Sequence, residues 1–169
     1  MLIFIFESKA FEGGFFMEYE INEGTLAIVP ENNNSIIYED NEEYHIKSTP
    51  FEIVDHSCKY FGSSYEGRKE GAKSILNISY KVPIIIENTH QIIFFPTISP
   101  IENNCYWISL RNIKEIKEKD YNSTTIIFKN NKSISVPVSR RSIENQIFRA
   151  SRLNFIMRDR DILYEKKVI

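Results

Sequence analysis

The sequence predicts an α+β fold, mainly antiparallel β-sheet or a partly open barrel, with central short helices and an amphipathic C-terminal helix. Three observations predict it. Short runs rich in Ile, Val, Phe and Tyr recur between Asn-, Gly- and Pro-containing turns, as strands of an antiparallel sheet do. The apolar period changes from two to helical at Thr49, and again at Ser139 or Ser142. A chain of 169 residues that is 42% hydrophobic and 13% aromatic can bury a core within one domain. The expected organisation is an upstream extension over 1–16, one domain over 17–160 and a short tail over 161–169.

The extension rests on Leu2–Phe6 (LIFIF), which falls far short of the ~20 residues of a membrane span and lacks the basic leader of a signal peptide. Gly13-Gly14 and Met17 follow, after which the pattern becomes regular; the alternative is an edge strand that pairs with the sheet. Tyr19–Pro30 alternates around a Glu-Gly turn and reads as strand, turn, strand. Asn32–Asn34 is a loop, and Ser35–Tyr38 with Tyr44–Ser48 make a hairpin around Glu39-Asp40-Asn41-Glu42. Thr49, Pro50 and Glu52 form a capping box with proline at the first helical position. Phe51, Val54, Cys58 and Phe61 then share one helical face up to Gly62. Ser63 and Glu66 suggest a second box opening a helix to about Leu76, weakened by Gly67 and Gly71 at ~1 kcal/mol each.

Beyond it, Pro83–Ile86 and Gln91–Phe95 flank the polar loop 87–90 as a hairpin. Pro96 and Pro100 bracket a turn. Cys105–Ile108 and Ile113–Ile116 are short strands, and Thr124–Phe128 with Ile134–Val138 form a hairpin across 129–132. The last helix runs to about Asp159, with Ile143, Ile147, Ala150, Asn154 and Met157 on one side and Asn145, Arg149 and Arg152 on the other. No internal repeat is visible.

The net charge of −2 hides a strong asymmetry: residues 1–50 carry −8 and residues 51–169 carry +6. Such segregation favours a polyanionic partner. Six of the eight arginines (Arg140, Arg141, Arg149, Arg152, Arg158, Arg160) lie within 21 residues, with Glu144 and Asp159 the only acids there. A helix start with paired arginines and an Arg/Asn stripe suits phosphate contacts and insertion into a narrow minor groove; the plainer alternative is a solvated helix face. Lys59, Arg68, Lys69, Lys73 and Lys81 form a second basic group around SSYEGRKEG, where glycines and the Ser63 and Ser64 hydroxyls suit a phosphate. Helix, glycine turn, helix also invites a helix-turn-helix reading, against which two glycines in the second helix weigh.

Other chemistries find little support. Cys58 and Cys105 are the only cysteines, too few for a disulfide framework and without zinc spacing, so two reduced thiols near the core are expected. Asp55-His56-Ser57-Cys58 has the residue types of a hydrolase, but helix neighbours point ~100° apart and cannot form a triad. No enzyme motif is present, and neither a cofactor nor a metal is expected.

From Phe51 to Gly71 the text FEIVDHSCKYFGSSYEGRKEG closely resembles the signature of the ComK family of competence transcription factors. Ile78-Ser79, Lys81, Pro83-Ile84, Phe95-Pro96-Thr97, Cys105, Trp107-Ile108-Ser109, Glu144-Asn145-Gln146, Arg149 and Asp159-Arg160 continue the likeness, as does GTLAIVPE from Gly24. It covers about Glu18 to Arg160. The resemblance implies a cytoplasmic, nucleoid-associated activator of DNA-uptake genes that binds paired A/T-rich boxes in double-stranded DNA as a dimer or tetramer. It also implies turnover through an adaptor of the Clp protease system, with no membrane association. The DNA-contacting residues expected are Arg140, Arg141, Asn145, Arg149 and Arg152, then Lys59, Arg68, Lys69 and Lys73. Two departures stand out: Tyr80 replaces the family's usual His, and the chain ends soon after Arg160 where family members continue into a tail. A shortened, divergent copy is therefore expected, and its rival is an interaction module or decoy that dimerises with a full-length relative.

Overall fold

A computed structural model describes residues 18–168; the extension expected over 1–16 lies outside them. Nine strands and three helices follow in the order β1 (Thr25–Glu31), β2 (Asn34–Glu39), β3 (Glu43–Ile46), α1 (Pro50–Tyr60), α2 (Tyr65–Leu76), β4 (Ile84–Glu87), β5 (Ile92–Pro96), β6 (Trp107–Ser109), β7 (Ile113–Asp120), β8 (Ser123–Phe128), β9 (Ser133–Val136) and α3 (Arg140–Val168). One sheet has the order β3-β2-β1-β6-β5-β4, the other β7-β8-β9, and every neighbouring pair is antiparallel. Both sheets are open, so of the two forms expected the sheet is realised and the barrel is not.

The alternation of side chains along each strand divides the core in two. Ile28, Ile37, Ile84, Ile86, Phe94 and Trp107 meet α1 through Ile53, Val54 and Cys58. Their neighbours Ala27, Ile85, Ile93, Phe95 and Ile108 face α3 (Ile143, Ala150, Leu153) and the second sheet (Ile126, Phe128, Val136). Coverage on both faces is why β4 and β5 read as near-continuous apolar runs instead of alternating. Helix α2 joins the two layers: Tyr65 packs on the α1 side, Ala72 and Leu76 on the α3 side.

Several elements depart from the sequence reading. Tyr19–Ile21 is not a strand, because the Ile21 N–H donates to Ser57 Oγ of α1 at 3.0 Å instead of to a neighbouring strand. The α1 capping box is present, with Glu52 N–H on Thr49 Oγ1 and Thr49 N–H on Glu52. Its buried face turns to Ile53, Val54, Ser57 and Cys58, leaving Phe51 and Phe61 half-buried. The α2 cap is Ser64, not Ser63: its Oγ accepts the Gly67 N–H at 3.0 Å. Helix α3 continues to Val168, past Asp159, and its fully buried residues are Ile143, Gln146, Ala150 and Leu153.

An internal repeat, invisible in the sequence, links β1-β2-β3-α1 to β7-β8-β9-α3. Each is a three-stranded meander feeding a helix. Ser35 pairs with Ile46, and its Oγ donates to the Ser48 carbonyl at 2.7 Å; Thr124 pairs with Val136, and its Oγ1 donates to the Val138 carbonyl at 2.7 Å. The next residues, Thr49 and Ser139, each accept an N–H from the first helical turn. The equivalent turns of the two units touch. Asn130 Nδ2 donates to the Asp40 carbonyl and Lys132 Nζ to the Glu39 carbonyl, at 3.0 and 3.1 Å. The units share hydrogen-bond positions and little else, which is why text comparison misses them.

Candidate nucleic-acid interface

Helix α3 begins with its Ser139 Oγ accepting the Ser142 N–H, and carries no acid in its first turn. Arg140 and Arg141 are exposed there. Arg140 Nε reaches Glu144 at 2.9 Å, and among the described residues it is the only one of the six α3 arginines with a carboxylate partner. Asn145 and Arg152 are exposed. Arg149 is half-buried: its Nη1 donates to the Tyr80 carbonyl at 3.0 Å and to Gln146 Oε1 at 3.2 Å. It therefore leaves the free stripe expected of it and ties α3 to the segment after α2.

The second basic group divides. Lys69 and Lys73 lie along α2 with Glu66 at 3.5 Å and Glu70 at 3.0 Å, and Lys69 also sits over the Tyr65 ring. Arg68 is half-buried and its Nε is enclosed without an acceptor. Lys59 is on α1, paired with Asp55 at 2.7 Å, and α1 packs on the opposite sheet face from α3. Arg140, Arg141, Asn145, Arg149 and Arg152 share α3; Lys69 and Lys73 share the adjoining α2; Lys59 stands apart.

Lys81, counted in the basic group but left out of the expected contacts, lies beside Arg149 of α3. Burial, then the nearby Arg149, holds its ammonium below the ordinary lysine range, and no carboxylate pairs with it among the described residues. Its signal in the sequence was only a lysine between an aromatic residue and Val-Pro.

Cys58 and Cys105 are buried and free, and burial pushes their thiols up to about 12 and about 11, so neither is a thiolate nucleophile at neutral pH. Glu18, Glu20 and His56 bring ligand atoms within 4.8 Å of one another at the surface. No helix among the described residues is long and apolar enough to cross a membrane.

The structure defines an antiparallel α+β domain whose last helix carries six arginines beside a lysine-bearing helix. Five of the six have no carboxylate partner among the described residues, a surface whose charge suits a polyanion. The chain belongs to the ComK family: residues 16–162 match the family described as ComK protein. It is 39% identical over 146 residues to the competence transcription factor of Bacillus subtilis (strain 168), covering 84% of this chain and 76% of that one. No solved structure matches.

Proposed function

We propose that this chain is a regulator of competence-gene transcription that binds double-stranded A/T-rich DNA through α3 and the adjoining end of α2. The observation that supports it most is the set of α3 arginines, five of six of them without a carboxylate partner among the described residues. Phosphates neutralise such a surface, and narrow A/T minor grooves attract arginine. Arg140, Arg141, Asn145, Arg149 and Arg152 are the primary contacts. Arg68, Lys69 and Lys73 flank them, with Lys59 the most remote.

The test is a fluorescence titration against a duplex with two A/T boxes and a G/C control, over several salt concentrations. Tighter, salt-steep binding to the A/T duplex is expected. Absence of binding at low salt sinks the reading and favours a protein-interaction module. That second reading has its own support: Phe148 and Phe155 are 70% and 72% exposed and Ile162 follows at the same seven-residue interval along α3. In the DNA-binding reading this stripe is the contact between subunits of a dimer or higher assembly.

A further inference from the structure

We propose that the Tyr80-Lys81 tip, between α2 and α3, is a separate DNA-contacting element in which the Tyr80 ring enters the groove and Lys81 meets a phosphate. This deepens the DNA-binding reading and rests on it.

The tip is built rigidly. Asn77 closes α2 in the left-handed conformation, and Lys81 adopts φ 48°, a value L-residues seldom take. What holds that backbone is Gln146, only 1% exposed, whose Nε2 donates to the Lys81 carbonyl at 2.9 Å and to the Pro96 carbonyl at 2.8 Å. Arg149 Nη1 grips the Tyr80 carbonyl from the same helix, and buried Val82 and Pro83 anchor the following chain. Gln146, Arg149 and the buried Val82-Pro83 thus hold a segment whose Tyr80 side chain is exposed and whose Lys81 is half-buried.

Its chemistry fits a groove. Tyr80 is 57% exposed, with the Lys81 ammonium 5.6 Å from its ring centroid. The ring is thus presented on a held backbone with a cation over one face and much of its surface open to a ligand. Against a duplex, the ring gains apolar contact with sugars and base edges, as wedge residues of minor-groove proteins do. Lys81 lies close to Arg149, and neither has a carboxylate partner among the described residues; a phosphate between them would supply the missing charge. The tip follows the C-terminus of α2 and is held by Arg149 of α3, so a duplex lying along the α3 arginines would meet it.

The experiment compares Tyr80→Ala, Tyr80→Phe and Lys81→Ala with the unaltered chain, titrating an A/T duplex with 2-aminopurine at its central steps. Tyr121→Ala, at a still more exposed tyrosine of the β7–β8 turn (84%), is the control. Expected are a tenfold or greater weakening for Tyr80→Ala with loss of the 2-aminopurine signal, near-normal binding for Tyr80→Phe, and a salt slope lowered by about 1 for Lys81→Ala. The control should bind as the unaltered chain does. Unfolding midpoints by urea check that each variant is folded. Normal affinity and signal in Tyr80→Ala, while Arg141→Ala and Arg152→Ala bind poorly, overturn the tip alone. If the unaltered chain binds no duplex, the DNA-binding reading falls and the tip with it.

Discussion

Gln146 uses both ends of its amide inside the core, donating to the Lys81 and Pro96 carbonyls and accepting from Arg149. Replacing it by Leu fills similar space and withdraws those hydrogen bonds, which costs about 1–3 kcal/mol when a buried group loses its partner. Gln146→Leu should therefore lower the urea midpoint without changing the slope of the transition; an unchanged midpoint would mean that water or a shift of the 77–82 segment restores the bonds. Asp55 works at the other layer. Its Oδ1 accepts the Tyr65 N–H at 3.0 Å, starting α2, and its Oδ2 accepts from Lys59 at 2.7 Å. Burial pushes the Asp55 carboxyl up, but these partners outweigh it and leave the value below that of a free aspartate. Glu87 is likewise lowered, because its carboxylate accepts the N–H groups of Thr89 and His90 and these outweigh its burial. For an acid whose pKa is depressed by folding, the unfolded chain binds more protons, so stability rises with pH through the titration range. The contribution of these groups is complete above about pH 4.5, the unfolded value of Glu87. It is lost as pH falls through their lower folded values. Thermal melts from pH 6 to 3 should show this acid limb, shallower in Asp55→Asn; equal limbs would remove Asp55 from the account.

At the scale of elements, what the sequence shows and hides has physical causes. The α1 capping box Thr49-Pro50-Phe51-Glu52, the β4–β5 hairpin and the β8–β9 hairpin are legible because local chemistry decides them. The strand expected at Tyr19 fails because a distant hydroxyl, Ser57 Oγ, takes the Ile21 N–H. The α3 arginines were legible as a cluster, but Arg149 as an anchor of the segment after α2 depends on a contact across 69 positions of chain. The core face of α3 was legible through Ile143 and Ala150, which are fully buried, and Ile147 and Met157, which pack beside them. Gln146 was missed because it is polar, yet it is buried where two carbonyls accept its N–H groups. Helix α3 also holds the clearest test of assembly. Phe148, Phe155 and Ile162 are spaced by seven, so they lie along one narrow line of the helix. If that line is the subunit contact, Phe148→Asp should shift the mass measured by light scattering toward the monomer and weaken binding to paired boxes more than to a single box. A dimer that survives Phe148→Asp places the contact elsewhere.

Over the whole molecule, charge follows the repeat. The first meander carries the acidic turn Glu39-Asp40-Asn41-Glu42, and the second the equivalent turn Lys129-Asn130-Asn131-Lys132. The two turns hold each other through Asn130 and Lys132, so part of the basic excess is engaged inside the molecule. On α3, Arg141 and Arg152 are exposed and have no carboxylate partner among the described residues, whereas Lys69, Lys73 and Arg140 have acids on their own helices, and that difference decides how each group should respond to salt. Counterions condensed on DNA are released only by cations that meet phosphates, so the slope of log affinity against log salt counts those contacts. Alanine at Arg141 or Arg152 should each flatten the slope by about 1. Arg149→Ala should flatten it less but weaken binding more, because it also loosens the Tyr80 carbonyl. Lys132→Ala should leave the slope alone and lower the unfolding midpoint slightly, since its ammonium is occupied by the Glu39 carbonyl. A slope that falls equally for Lys132 and Arg152 would mean that the duplex spans the second sheet as well as α3, and that the turn-to-turn contact opens when DNA binds.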